Sequence, residues 1–277
     1  MFWHVIEYLL NWLFIDNQPQ RNNNAYPTSV PADIGHSNGI DKFDEIHGNE
    51  ESGLLNYVPK LKGDSDRQGF VAKVFGILAV QMIATTLFVY FMISNKNRIQ
   101  FVQNNTWLYI ICMVATIAIM LPLFCWREVA RSVPTNYIML GVFTIWESYL
   151  VATIASFYQP QSVFLAALYA TALFTVLTIY AMFTKGDLGC LGPIIAVSCI
   201  LGLLTFVLYF IFPGETMHLI FCWVGLIATC IYVIFDVYMI TEKNGLEYDD
   251  YIIAALMLYT DLINLFIYIL SIIGEKN

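Results

Sequence analysis

The chain has 277 residues, of which 58% are apolar and only 12% are charged, and its mean hydropathy is +0.66. Soluble domains carry about a quarter charged residues, so this composition excludes a soluble enzyme and indicates that lipid surrounds most of the chain. The net charge of −8 argues against nucleic acid as a partner. The six cysteines show no CxxC spacing and there is no HExxH motif, so the sequence predicts no zinc site.

Residues 1–15 are apolar but too few to span a bilayer, which requires about 20 residues. Their polar members His4, Glu7 and Asn11 recur at spacings that place them on one helical face. The segment therefore predicts an amphipathic helix that lies in the membrane interface or against a partner. A targeting signal is the alternative, although the segment lacks the basic residues typical of one.

Residues 16–66 change to Asn, Asp, Gly, Ser and Pro, with few aliphatic side chains. Such a stretch buries too little apolar surface to offset the entropy lost on ordering. It predicts a polar, acidic tail or linker, and we expect any protein partner to bind through residues 1–66.

Residues 67–277 form the predicted transmembrane domain. Its seven apolar runs of spanning length cover roughly 69–93, 107–126, 137–157, 162–183, 188–212, 217–240 and 251–273. Helices satisfy every backbone hydrogen bond internally, as lipid requires, and short connectors favour a single bundle. The sequence therefore predicts an all-α polytopic membrane protein.

Basic residues near the membrane predict the orientation. More of them lie on the side where the first span begins than on the other: Lys60, Lys62, Arg67, Lys73, Arg127, Arg131, Lys185 and Lys243. That side is then the cytosol, or the matrix of a mitochondrion. We expect an integral multi-pass protein of an intracellular organelle.

Three acids lie well inside the apolar runs: Glu147, Asp236 and Asp261. A carboxylate at this depth costs a few kcal/mol or more, so it normally faces the bundle interior and marks an ion or proton path. A structural, hydrogen-bonded acid is the alternative for each. Glu147 and Asp261 both lie about 15 Å inside the boundary and Asp236 about 6 to 10 Å, which predicts a column.

The two aspartates also belong to polar stripes. Thr229 and Tyr232 precede Asp236, and Asn264 follows Asp261, all at helical spacing. Stripes on adjacent helices should face each other, because lipid offers them no partner. Two close carboxyl groups can then share a proton, which predicts a pH-sensitive gate.

The same oxygens suit a hard cation such as Ca²⁺. We predict Asp236, Asp261 and Glu147 as its ligands, with Asn264 and Tyr232 lining the path together with Glu147. Calcium and protons would compete for the aspartates. No cofactor is predicted other than Ca²⁺ as a bound or transported ion.

Four segments resemble those of the transmembrane Bax-inhibitor-motif family, which includes the lifeguard and Golgi anti-apoptotic branches. ALMLYTDLINLFIYIL (255–270) is similar to the signature of its last helix, and IYVIFDVYMI (231–240) to its sixth. RQGFVAKVFGILAVQM (67–82) resembles the start of its first helix, and residues 133–158 resemble its third. The segments occur in the family's order.

The resemblance implies six spanning helices around a central seventh. It also implies that Asp236 and Asp261 are the proton-sharing pair of a pH-dependent Ca²⁺ leak, and Glu147 matches an acid of the Golgi anti-apoptotic branch. The expected function is a pH-sensitive Ca²⁺ leak channel or Ca²⁺/H⁺ exchanger in calcium homeostasis and cell-death control.

The chain departs from the family at two points. IFDV replaces a YDT-like sequence around Asp236, and the second span lacks the arginine that latches the pair in some bacterial members. Arg127 and Arg131, at the end of that span, are the candidate latch residues. With the apolar N-terminal segment, these departures keep an alternative open: a non-transporting accessory subunit of a larger membrane complex, such as one of the mitochondrial inner membrane.

An intramembrane aspartyl protease also places two aspartates on adjacent helices. Its second aspartate needs a Gly-rich GxGD approach, whereas Leu258, Tyr259 and Thr260 precede Asp261 here. We therefore expect that the protein is not an enzyme.

Overall fold

The computed structural model describes residues 64–184, 191–241, 246 and 248–277. Its helices are α1 (Asp64–Ile93), α2 (Lys96–Asn104), α3 (Thr106–Cys125), α4 (Arg127–Arg131), α5 (Thr135–Ala155), α6 (Pro160–Phe183), α7 (Leu191–Ile211), α8 (Glu215–Thr241) and α9 (Tyr251–Ile273). The 3₁₀ turn Tyr248–Asp250 leads into α9. The prediction for residues 1–15, and that for residues 16–66 up to residue 63, lie outside the described residues.

Seven of these helices are long and apolar enough to cross a membrane, namely α1, α3, α5, α6, α7, α8 and α9. The two short helices, α2 and α4, lie in connections between them. Exposed Trp107 and Trp126 flank α3 at its two ends, where amphipathic indoles favour the membrane interfaces. The all-α polytopic fold predicted from the apolar runs is confirmed.

The last helix, α9, is the centre of the bundle. In its most apolar window 94% of residues are buried, against at most 61% in any other spanning helix. It packs against α1, α5, α6 and α8, whereas α3 packs on α5 and α7 packs on α8. A helix that is apolar all round is expected in such a buried position. The sequence supplies this pattern, because Asp261 is the only charged residue within α9.

The chain end after α9 is attached at the side of the bundle where α1 ends. We call this side the outer end, and the side where α1 begins the inner end. The amide of Gln159 donates to the carbonyl of Glu275 at 2.9 Å, and the amide of Asn277 donates to the carbonyl of Phe157 at 3.0 Å. These bonds join residues 275–277 to the α5–α6 connection, so α9 crosses the whole bundle.

An ion pair holds the inner end of α9. The Arg131 guanidinium donates to both carboxylate oxygens of Asp250, through Nε at 2.9 Å and Nη2 at 3.1 Å. Asp250 is only 1% exposed, and the ammonium of Lys73 lies 3.1 Å from the ring centroid of Tyr251, the next residue. The start of α9 is therefore tied to α4 and to α1.

Replacement of Asp250 with Asn is predicted to destabilise the protein by about 3 kcal/mol, because Arg131 loses its buried counter-charge. The measurement is the free energy of unfolding in mixed detergent micelles. The matched control is Asp249→Asn in the same 3₁₀ turn, where we expect a change within about 0.5 kcal/mol. Equal losses for the two variants would contradict this role for the ion pair.

Candidate functional site

The candidate site is built on the contact between α8 and α9. Asp236, in the inner half of α8, is 6% exposed, and Asp261, ten residues into α9, is fully buried. Their carboxyl groups lie close enough to interact directly. A hydrogen bond between them would require a proton on one of the two groups, since an ionised carboxylate is an acceptor only. The structure thus brings together the two predicted pair residues in a geometry that can hold a shared proton.

The other two stripe residues proposed for the cation path lie in different surroundings. Asn264 is buried one turn beyond Asp261, on the same side of α9. The hydroxyl of Tyr232 instead contacts α7, where it accepts from Ser198 Oγ at 3.1 Å and lies 3.1 Å from Cys199 Sγ. Asn264 is therefore placed beside the pair, whereas the hydroxyl of Tyr232 joins α8 to α7.

Glu147 lies on a different side of the central helix. Its buried carboxyl group interacts electrostatically with the hydroxyls of Tyr259 on α9 and Tyr109 on α3. Tyr259 and Asp261 are two residues apart, which rotates them by about 200° around the helix axis. Glu147 and Asp261 are thus at similar depth, as predicted from sequence, but α9 stands between them.

This separation corrects the predicted metal site. Within the described ranges, no group of three or more His, Cys, Asp or Glu side chains is close enough to hold a metal ion. Asp236, Asp261 and Glu147 therefore do not form a three-carboxylate calcium site in this conformation. The physical reason is the helical rotation between Tyr259 and Asp261, since the depth of a residue does not specify which side of its helix it occupies.

A buried hydroxyl network, which the sequence did not single out, joins three helices on the Glu147 side. Thr85 of α1 is 2.8 Å from the Tyr259 hydroxyl of α9 and accepts from Ser148 of α5 at 3.0 Å. One turn closer to the inner end, the Gln81 amide donates to Thr144 Oγ1 at 3.0 Å. Interhelical hydrogen bonds of this kind hold membrane helices together where lipid offers no alternative partner. The sequence feature that could have revealed this network is the presence of short polar residues inside the apolar runs.

The candidate latch residues lie at the inner end. Arg131 pairs with Asp250, which is about 16 Å along α9 from Asp261. The side chain of Arg127 lies outside the described residues. A further cation, the buried Arg67, donates Nη2 to the Met239 carbonyl at 3.4 Å, three residues beyond Asp236. In the sequence, Arg67 is only one of the basic residues that predict the membrane orientation. In the structure, its side chain contacts the inner end of α8.

Tyr268 lies on the outer side of the pair, seven residues beyond Asp261. A Cβ built on Gly225 of α8 would be 2.5 Å from Cζ of its ring, so the ring fits only because residue 225 has no side chain. Beyond the ring is a cavity of about 340 Å³. Its lining includes Tyr209, Glu215, His218, Ser271 and Lys276. The contact between Gly225 and Tyr268, which we call the outer constriction, therefore lies between this cavity and the aspartates.

Comparison with known proteins gives a consistent result. Residues 67–277 match the family model described as "Inhibitor of apoptosis-promoting Bax1". The chain is 28% identical to protein lifeguard 3 of Homo sapiens over 260 residues, covering 90% of this chain and 80% of that protein. It is 30% identical to the Golgi anti-apoptotic protein of vaccinia virus (strain Lister) over 215 residues, covering 76% and 87%. It is 31% identical to Bax inhibitor 1 of Schizosaccharomyces pombe over 211 residues, covering 76% and 77%.

The fold and the buried carboxyl pair define a multi-pass helical membrane protein with a polar centre. Since the family model covers well over half of the chain, the chain belongs to the Bax inhibitor family. The resemblance seen in the four sequence segments is confirmed.

Replacement of Gly225 with Ala is predicted to destabilise the fold by about 1–3 kcal/mol, because the new methyl group overlaps the Tyr268 ring. The measurement is the free energy of unfolding in detergent micelles. The matched control is Gly141→Ala in α5, where no atom lies within 4 Å of the added Cβ and we expect no loss. Tyr268→Ala should remove most of the extra cost of Gly225→Ala. An undiminished cost in the double variant would contradict the outer constriction.

Proposed function

We propose that the protein is a cation leak channel or cation/proton exchanger whose Asp236–Asp261 pair binds either a proton or a cation such as Ca²⁺. The observation that supports this proposal is the proximity of two buried carboxyl groups at the centre of a bundle of spanning helices. Acids buried among membrane-spanning helices are costly and characteristically serve ion or proton paths.

The chemistry follows from the charge of the pair. With one proton shared, the pair carries a single negative charge and the hydrogen bond joins α8 to α9. Loss of that proton leaves two adjacent negative charges in a medium of low dielectric, where their repulsion is strong. A divalent cation with oxygen ligands relieves this repulsion, and Asn264 supplies a neutral oxygen one turn away. Proton and cation are therefore alternative occupants of one site.

A path through the bundle must pass two positions. On the outer side, the Tyr268 ring has to move away from Gly225 to connect the outer cavity with the aspartates. On the inner side, Arg67 is hydrogen-bonded to the end of α8. Its positive charge repels a cation that leaves the aspartates in this direction. Separation of α8 from α9 on deprotonation would disturb both positions at once. Glu147 lies across α9 and acts through Tyr259 rather than as a ligand.

The cellular role that we propose is control of cell death through the cation content of an intracellular organelle. The support is the family membership and the names of the relatives, which include a Golgi anti-apoptotic protein and Bax inhibitor 1.

Flux measurements in proteoliposomes test the proposal. Wild-type protein should pass Ca²⁺ with a pH dependence whose midpoint moves to lower pH as the Ca²⁺ concentration rises, because the cation binds the deprotonated pair. Asp261→Asn and Asp236→Asn should each abolish this pH dependence and lower the flux at least tenfold, an effect of about 1.4 kcal/mol.

The control is Glu128→Gln, an exposed carboxylate in α4 that should leave the midpoint unchanged. The proposal fails if Asp261→Asn retains the wild-type flux and midpoint, or if the midpoint does not respond to Ca²⁺.

A further inference from the structure

A groove runs along the lipid-facing side of the bundle between α1 and α6. Both helices pack on α9, which forms the floor of the groove. The groove contains a cavity of about 500 Å³, a size typical of small-molecule sites, which occupy about 300–1,000 Å³. Its lining is largely apolar and includes Met82, Val89, Phe164, Ala167, Ala170 and Phe266. Phe164 and Tyr90 on its two rims are 67% and 68% exposed, so the groove opens toward the bilayer.

The groove matches the depth of one membrane leaflet. On α1 the cavity extends from Met82 to Ser94, a rise of about 18 Å. Half of a hydrocarbon core of about 30 Å has a similar depth. A second cavity of about 420 Å³ shares Met82, Thr86, Thr171 and Leu262 with the first and continues toward the inner end. The groove therefore has room for an extended chain that enters from the outer interface.

A positively charged side chain, that of Arg98, lies at the outer end of the groove. Ser94 lines the cavity, and its Oγ accepts a hydrogen bond from Arg98 Nη2 at 2.9 Å. The guanidinium lies over the Phe91 ring at 4.0 Å, which together with Ser94 holds it in place. Arg98 is in α2, the short helix between the first two spans, so its charge lies at headgroup level. An anionic group at the mouth of the groove would pair with this positive charge.

We propose that the groove between α1 and α6 holds one acyl chain of a phospholipid whose phosphate binds Arg98. Two features with different chemistry support this occupant: an apolar slot one leaflet deep, and a guanidinium fixed at the end where a headgroup would lie. A transmembrane helix of a partner would match the slot but would place no phosphate at Arg98.

The groove is also in contact with the buried hydroxyl network. Thr85 lines the cavity and is the residue that bonds to Tyr259 and Ser148. An acyl chain in the groove therefore packs against the helix face that carries the hydroxyl network. Lipid exchange is in this way linked to the position of the central helix.

Native mass spectrometry of the purified full chain tests the proposal, with dioleoyl phosphatidylglycerol as the probe. Wild-type protein should retain one lipid molecule after exhaustive detergent exchange. Ala167→Phe and Thr171→Phe, which fill the groove, should weaken binding at least tenfold. Thr171 is exposed and its replacement leaves the core intact, so this variant serves even if Ala167→Phe fails to fold. The control is Ala172→Phe, one residue further along α6 and on its exposed face, which should bind as wild type does.

Arg98→Gln should weaken phosphatidylglycerol about tenfold, the effect of one charge-assisted hydrogen bond. The same variant should leave binding of uncharged dioleoylglycerol unchanged, and Lys96→Gln should leave both unchanged. Three results would overturn the proposal: wild-type retention by both Phe variants, equal losses for Lys96→Gln and Arg98→Gln, or a dimer that the Phe variants dissociate while lipid binding persists. The last result would assign the groove to a second copy of the chain.

Discussion

The burial of a carboxyl group in a helix that other helices surround is the constraint on which the structure depends. Asp261 has no contact with solvent, and lipid cannot stabilise its charge, so its partner must come from a neighbouring helix. Asp236 of α8 supplies the neighbouring carboxyl group, and a hydrogen bond between the two would require one proton. The central position of α9 follows from the same constraint, because a lipid-facing helix would expose Asp261. The packing of α8 against α9 therefore determines the surroundings of both carboxyl groups.

The different sides of the central helix contact different parts of the bundle. One side carries Asp261 and Asn264 toward α8, the opposite side carries Tyr259 toward Thr85 and Glu147, and a third forms the floor of the lipid-facing groove. Its two ends are fixed, by the Arg131–Asp250 ion pair on the inner side and by the bonds of residues 275–277 on the outer side. A helix held at both ends responds to a charge change at its middle mainly by rotation or bending. Such a movement would reach the outer constriction and the groove together.

Much of the fold could be predicted from the sequence, because apolar runs of spanning length have few alternatives in lipid. The predicted first span began at residue 69 whereas α1 begins at Asp64, since a helix continues into the polar interface beyond its apolar part. The aspartate pair was predictable because both residues are charged and lie on adjacent spans. The position of Glu147 was not, since depth gives the level of a residue but not the side of the neighbouring helix that it meets. The bond from Arg131 to Asp250 joins residues 119 positions apart, and no local pattern indicates it.

The central claim is that a proton and a cation compete for the Asp236–Asp261 pair, and proton release on cation binding tests it most directly. In weakly buffered detergent solution below the pH midpoint of flux, addition of Ca²⁺ to the wild-type protein should release about one proton per bound cation. Asp261→Asn, which lacks the shared site, should release none. Ca²⁺ binding without proton release, or equal release by Asp261→Asn, would contradict the account.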